Sequence, residues 1–517
     1  MPNPYAVGRD LKTYSCFDLS GGLDVKTSPT TLALLKKQNR LSVANHVQYA
    51  SEGGVSKRGD VTTFTSSSLG ASVGITGGFQ LRRSNGNDYN LIGTDDGRVL
   101  LLNTDGTTTG LVSGLTTARR WSFSAYNDKA IYCNGADVPR YYDGTTEAIL
   151  PGTPPATAQI VASHGNRVFM VTVTSSTISW CALNDETDWT TATNAGSMVI
   201  ARNDSSIITA LVPSINELVA IKRNRPYRIQ GTNPTTFLVS NVVPTVGSVG
   251  AESFSAALFA LNDVLYLSQA GVNALSQTQD FGDLKERFIS ERIEPYFTPG
   301  SDHAVSLNRL NLAVMAYDRD HNRIYVGVDT DNDSENDTIL VYDPLLKAWS
   351  VWADIPCASM WLVRNATTGA SDVYVGGYDG HVRVLEQNTG AETFTASFKH
   401  VSALNDIGWE KSPRHVFIYA KEEGNWNLTA VTDFDFGASG GQTYTVSLLG
   451  GSKTLGVNWT LGTDPLGARS QIVRRFNASG TGEFIGLTFS NGSAGQPFTV
   501  YGYQAMYRRR RQIRRAA

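Results

Sequence analysis

Asp329-Thr-Asp331-Asn-Asp333-Ser-Glu335-Asn-Asp337 places five carboxylates within nine residues. Hard oxygen ligands at alternate positions are what Ca²⁺ prefers, so Asp329, Asp331, Asp333, Glu335 and Asp337 are candidate calcium ligands. The segment is not an EF-hand loop. Its sixth position is Ser334 where that loop needs Gly, its twelfth is Leu340 where it needs Glu, and the flanks from Arg323 to Val328 and from Thr338 to Tyr342 read as strands. A solvated hairpin tip is the alternative reading, and no other cofactor is implied.

A second concentration of charge closes the chain. Arg508, Arg509, Arg510, Arg511, Arg514 and Arg515 put six guanidiniums into eight residues with no acid among them. Guanidinium forks pair bidentately with carboxylate or phosphate, so these residues are candidates for a subunit or partner interface, or for nucleic-acid contact. A protein recipient is favoured over DNA, and a disordered, solvated tail is the plain alternative. Lys222-Arg-Asn-Arg225-Pro-Tyr-Arg228 forms a third basic run, expected to face solvent or a neighbouring subunit.

Other motifs carry less. Gly70-Ala-Ser72-Val-Gly74 matches the G-x-S-x-G pattern but sits in a Ser/Gly/Thr stretch followed by a strand-like run, where a nucleophile elbow needs a strand-to-helix turn. Gly450-Gly-Ser-Lys-Thr454 lacks the spacing of a phosphate loop. Arg58-Gly59-Asp60 is too short to be informative. None of the seven histidines forms a metal-binding pair, and no sialidase-type box is present. The chain is expected to be no enzyme. Carboxylates converging from different blades of a propeller would nonetheless be invisible in sequence.

These residues need a scaffold. At 517 residues the chain exceeds what one core usually organises, and 41% hydrophobic against 18% charged residues excludes generic acidic disorder. Net charge is −3, so without the six terminal arginines the rest sums to −9. Cys16, Cys133, Cys181 and Cys357 are far apart, which suggests neither a disulfide framework nor a zinc site. The N-terminus shows no apolar leader and the chain no membrane-length apolar run, so synthesis and residence outside any secretory route are expected. Sequons such as Asn365-Ala-Thr367 then read as chance.

Short alternating strands punctuated by Gly, Asn and Asp make the chain mainly β. Helical spacing is expected only from about Ser28 to Val47 and from Leu284 to Phe297. Between about 85 and 390 a unit recurs, a polar turn followed by a β-run centred on Leu91, Tyr132, Phe169, Val219, Tyr266, Tyr325 and Tyr374. Its steps of 41, 37, 50, 47, 59 and 49 residues suit four-stranded propeller blades. The expected organisation is an N-terminal arm with a short helix (1–60), a β-propeller of about seven blades, six to eight (61–390), a C-terminal β-sandwich (391–505) and an Arg-rich tail (506–517).

Phe17-Asp-Leu-Ser-Gly-Gly-Leu-Asp-Val-Lys-Thr-Ser-Pro29, Asn39 to Asn45 and Gly53 to Gly59 resemble the opening of tail nozzle proteins of short-tailed bacteriophages, the tail tubular protein B-like or packaged-DNA stabilisation proteins. Ile178 to Trp189, Leu218 to Gly231, Val246 to Ser253 and Phe259 to Leu275 look like that family's blade motifs; Val341 to Trp352 is a more general propeller pattern. The resemblance spans roughly residues 15 to 390. It implies a structural virion protein of the viral tail, made in the host cytoplasm. Its copies would form a homo-oligomeric ring, usually a homohexamer, below the portal and its head-to-tail adaptor. Such a nozzle continues the tail tube as conduit and gate for genome retention and DNA ejection, with double-stranded DNA in transit, tail fibres or tailspikes as neighbours, and the host cell envelope ahead. Two rivals stay open: a propeller glycoside hydrolase acting on host surface polysaccharide, with carboxylates converging on the propeller axis, and a lectin-like receptor-binding propeller with an exposed aromatic and Asn/Asp patch.

Overall fold

The computed structural model describes all residues except 1–10, 35–38, 51, 242–248, 278–283, 366–367, 450–470 and 513–517. The described residues fall into two units, one from Val61–Leu340 and Asp354–Gln387, the other from Met1–Asp60, Val341–Ala353 and Asn388–Ala517.

The repeat read from the sequence is the second strand of each sheet in the first unit. Leu91 lies on Asp88–Thr94, Tyr132 on Lys129–Cys133, Phe169 on Arg167–Thr172, Val219 on Leu218–Lys222, Tyr266 on Asp263–Ser268, Tyr325 on Arg323–Val328 and Tyr374 on Ser371–Gly376. All seven side chains are buried. Several of the turns feeding these strands use two successive left-handed residues, Asn127 and Asp128, Gly165 and Asn166, Leu261 and Asn262, as two-residue hairpins require. That requirement is what made the polar turn visible in sequence.

Five sheets, at 75–112, 122–149, 158–199, 208–241 and 257–288, are antiparallel meanders of four strands in chain order. The sixth contributes Val314–Asp318, Arg323–Val328 and Thr338–Asp343, and its continuation, Ala348–Trp352, belongs to the other unit. In the seventh, Ser359–Arg364, Ser371–Gly376 and Val382–Gln387 are completed by Asp60–Thr63, chain that precedes the first blade. The seventh blade then packs on the first. Ser359 Oγ donates to Ile75 O at 2.5 Å, Arg364 N donates to Gln80 Oε1 and Gln80 Nε2 to Arg364 O, both at 2.8 Å. The Trp361 ring lies so close over Gly78 that a Cβ there would stand 2.1 Å from it. The ring is closed, and this unit is a seven-bladed β-propeller whose radial repetition leaves only short outer edges.

The second unit is a two-sheet sandwich built from both ends of the chain. One sheet runs Ala348–Trp352, Leu41–Asn45, Ala396–Ser402, Ile485–Asn491, Asn427–Phe434, Ser439–Ser447; the other runs Val47–Tyr49, Val55–Lys57, Thr499–Gln512, Trp409–Lys421, Gln471–Asn477, with Lys12–Cys16 also on Thr499–Gln512. Phe398 and His400 of the first sheet face Phe498, just before the strand Thr499–Gln512, and Tyr503 on it, ring centroids 6.2 and 5.7 Å apart. Residues 11–60, expected as an arm, are therefore woven into both sheets.

Both helical expectations need correction. Among the described residues only Pro29–Leu34 is α-helical; Leu41–Asn45 is a strand, because Leu41 and Ala44 are buried through pairing with Ala396–Ser402. Leu284–Phe288 is the outermost strand of the fifth blade, followed by a 3₁₀ segment at Glu291–Phe297. Pro295 inside that segment has no N–H for an α-helical bond, while Ile293, Tyr296 and Phe297 still reach the core.

Candidate functional site

The acidic segment joins the second and third strands of the sixth blade. Carboxylate oxygens of Asp329, Asp331 and Asp333 lie within 4.8 Å of one another, a donor set of the kind a hard cation takes. Glu335 and Asp337 are outside that group. Asp329 is buried, and its two oxygens accept from Ser306 Oγ at 3.0 Å, Asn332 N at 2.6 Å and Ser334 N at 3.0 Å, so it already anchors the turn. Asp337 accepts from Thr330 Oγ1 at 3.0 Å. Desolvation, with the neighbouring Asp333 charge, raises the pKa of both Asp331 and Glu335. Residues 331–333 at the tip are exposed, and the base of the loop is an ordered hydrogen-bonded turn.

The terminal arginines are not a free tail as far as Gln512. Arg508 to Arg511 lie on the strand Thr499–Gln512, with Arg508 opposite Ser412 and Arg509 opposite Lys411. Arg509 pairs with Asp406 and lies 5.0 Å from the Trp409 ring, while Arg511 pairs with Glu410 at 2.6 Å. Arg510 is exposed, and Arg514 and Arg515 lie outside the described residues. Asp406 also receives Lys12 Nζ at 3.2 Å and Tyr507 Oη at 2.7 Å. The Arg509 guanidinium, with these other donors, holds its carboxyl well below the usual carboxylate range.

Within the basic run at 222–228, Arg223 is exposed as expected, whereas Lys222 and Arg228 are not. Lys222 is fully buried, its ammonium near the carbonyls of Ala201 and Asp204 at 3.4 and 3.3 Å. Arg228 is buried against Glu217 at 2.7 Å. Both sit on strands buried at nearly every position, a placement that charge alone hid. Arg58 and Asp60 are likewise internal: Arg58 forks onto both oxygens of Glu392 at 2.8 Å, and Asp60 accepts from Thr389 Oγ1 at 2.8 Å. Gly70 to Gly74 forms turns ahead of a strand, which gives Ser72 no elbow, and Gly450 to Thr454 lies outside the described residues.

Two sites escaped sequence reading. Between the fourth and fifth blades a cleft of about 390 Å³ is lined by Asn216, Asn262, Asp263, Gln230 and Phe259, with the Glu217–Arg228 pair in its wall. A smaller cleft of about 190 Å³ lies where the first, sixth and seventh blades present their connections, lined by Thr76, Asp95, Arg119, Arg120, Ser334 and Tyr378. Arg120 leaves the link between blades one and two, and its Nη1 donates to Ser253 Oγ at 3.1 Å and Asn311 O at 2.7 Å, on the links entering blades five and six. Blades two and five are not neighbours, so this side chain spans the ring. Burial brings its pKa down to about 10. Arg120 and Tyr378 are 258 positions apart, which no local signal bridges.

Together these features define a seven-bladed β-propeller chain with an appended two-sheet sandwich. No protein-family model and no curated protein sequence matches it. Solved structures similar to it include YCF48 from Cyanidioschyzon merolae (12% identity, 63% of this chain and 98% of that one, TM-score 0.39). Others are the WD40 β-propeller domain of Doa1 (12%, 62% and 96%, 0.37) and the computationally designed Ika8 protein (13%, 63% and 99%, 0.37).

Proposed function

We propose that this chain is a structural virion protein whose copies close a ring-shaped tail nozzle, six in the arrangement its sequence blocks imply, attached below the portal and adaptor and serving as conduit and gate for the genome. The observation that carries the reading is the propeller's rim. Ile149, Val199 and Leu238 are 54%, 39% and 62% exposed, and each lies on the outermost strand of one of three successive blades. Apolar side chains on successive outer strands are groups that a neighbouring copy would bury, which favours the reading.

Charge supports unlike surfaces meeting between copies. The propeller unit holds 21 Lys and Arg against 32 Asp and Glu, net −11, and the sandwich unit 23 against 15, net +8. A cyclic ring is made of such heterologous contacts. An acidic propeller also suits transient passage of DNA, since dense cationic contacts would hold a polyanion in place. The test is the double variant Ile149→Glu, Leu238→Glu in the full chain. Sedimentation should show the ring falling to smaller species with an unchanged circular-dichroism spectrum; an intact ring would overturn the reading.

The cleft between blades four and five favours a second reading. Its exposed amides Asn216 and Asn262 beside Phe259 offer the planar hydrogen-bonding groups and apolar face that a sugar takes, as a lectin-like receptor binder would need. Glycan-array binding lost on Asn262→Ala would support it.

A further inference from the structure

The small cleft at the propeller's centre holds polar groups that the fold leaves unanswered. Arg120 Nη2 is enclosed and has no hydrogen-bond partner, although the same guanidinium is fixed through Nη1 and its face lies 5.3 Å from the Phe254 ring. Tyr378 Oη accepts from Asn336 N at 3.0 Å and has no acceptor for its own proton among the described residues. Arg119, exposed at the rim, adds a second positive charge. An enclosed N–H donor without an acceptor costs free energy, and one that shares its cleft with a half-buried tyrosine hydroxyl and a second guanidinium asks for an oxyanion.

We propose that this axial cleft binds a carboxylate, its oxygens seated between Arg120 Nη2 and Tyr378 Oη. The cleft, about 190 Å³ and open to solvent, admits a carboxylate with its stem leading outward. The walls choose among anions. Asp95 lines the same cleft, and Glu335 lies close enough to Tyr378 to act on its charge, so a doubly charged phosphate would meet two carboxylates while a monoanion meets less repulsion. Ala358 and Leu312 supply the apolar contact for the stem. A small organic acid and the acidic side chain of a protein partner present the same group. This site is independent of the nozzle reading, because its donors all lie within one propeller.

The experiment uses the full-length chain with two probes, sodium acetate and a glutamate residue blocked at both ends, each titrated against sodium chloride at matched ionic strength. A saturable rise in Tm is expected, with a carboxylate in crystals soaked in the same probe within hydrogen-bonding distance of Arg120 Nη2 and Tyr378 Oη. Tighter binding of blocked glutamate assigns the site to a partner's side chain, and equal or tighter binding of acetate assigns it to a small acid. Tyr378→Phe, which keeps the ring and Arg120, should weaken binding about tenfold, the worth of one hydrogen bond to a charged group. No saturable shift with either probe, only water between the two donors, or full affinity in Tyr378→Phe would overturn the proposal.

Discussion

The carboxylate of Asp406 holds the guanidinium of Arg509, tying the strand that carries the terminal arginines to the loop before its partner strand. Lys12 joins the same carboxylate from the N-terminal strand. Asp406→Ala should therefore cost about 2 kcal/mol, the worth of a hydrogen bond to a charged group, with the loss confined to the sandwich unit. Arg510→Ala, at an exposed position with no partner of this kind, should leave Tm unchanged. Thermal denaturation of the two variants decides it; equal effects would mean that the strand does not depend on this carboxylate.

Deleting everything from Arg508 onward removes paired strand, so the function of the arginines is better tested one at a time. On the nozzle role proposed above, Arg510→Glu should impair attachment of the ring to its partners while leaving the sandwich folded. Normal attachment with leaking DNA would instead place that side chain against the genome.

Asp329 should matter to folding with no metal added. Asp329→Ala removes the acceptor of Asn332 N, Ser334 N and Ser306 Oγ and should cost about 2 kcal/mol in EDTA. Asp331→Ala, which relieves repulsion at the tip, should leave Tm unchanged or raise it. Equal Tm for Asp329→Ala and wild type in EDTA would show that the turn does not need its anchor.

His400 is buried and contacts Tyr503 Oη through Nδ1 at 2.8 Å, and burial lowers its pKa to about 4. Its unfolded value is about 6.5. Above pH 6.5 both states are neutral and nothing is gained or lost. As pH falls from 6.5 towards 4 the unfolded chain takes the proton first, so stability declines, by about 3 kcal/mol at the limit. His400→Gln should flatten that part of the pH profile; an unchanged slope would remove His400 as its source.

Gly78 faces Trp361 across the closure of the ring. Gly78→Ala forces a methyl into that contact and should cost about 1 to 3 kcal/mol, the usual range for overpacking. Hydrogen exchange should show the loss in blades one and seven and not in the sandwich.

The blades were legible because their second strands are buried on both sides and follow turns that demand Asn, Asp or Gly, so Tyr132, Tyr266 and Tyr325 recur at blade spacing. The sandwich boundaries were not. Lys12 pairs with Tyr507 and Leu41 with His400, and partners so distant leave no trace in local periodicity. Leu41 and Ala44 fit a helical stripe as well as a bulged strand, and only the pairing with Ala396–Ser402 decides. Lys222 read as surface because its charge hid its place at the end of a strand buried on both faces. The candidate sites divide in the same way: the acidic loop is contiguous and was visible, whereas Arg120 and Tyr378 meet only once seven blades close.

The proposed nozzle requires that this chain close into a ring. Native mass spectrometry of the full-length protein should show one closed multiple of the 55.9 kDa chain, six copies in the arrangement proposed. A single species at 55.9 kDa over the whole accessible concentration range would contradict it.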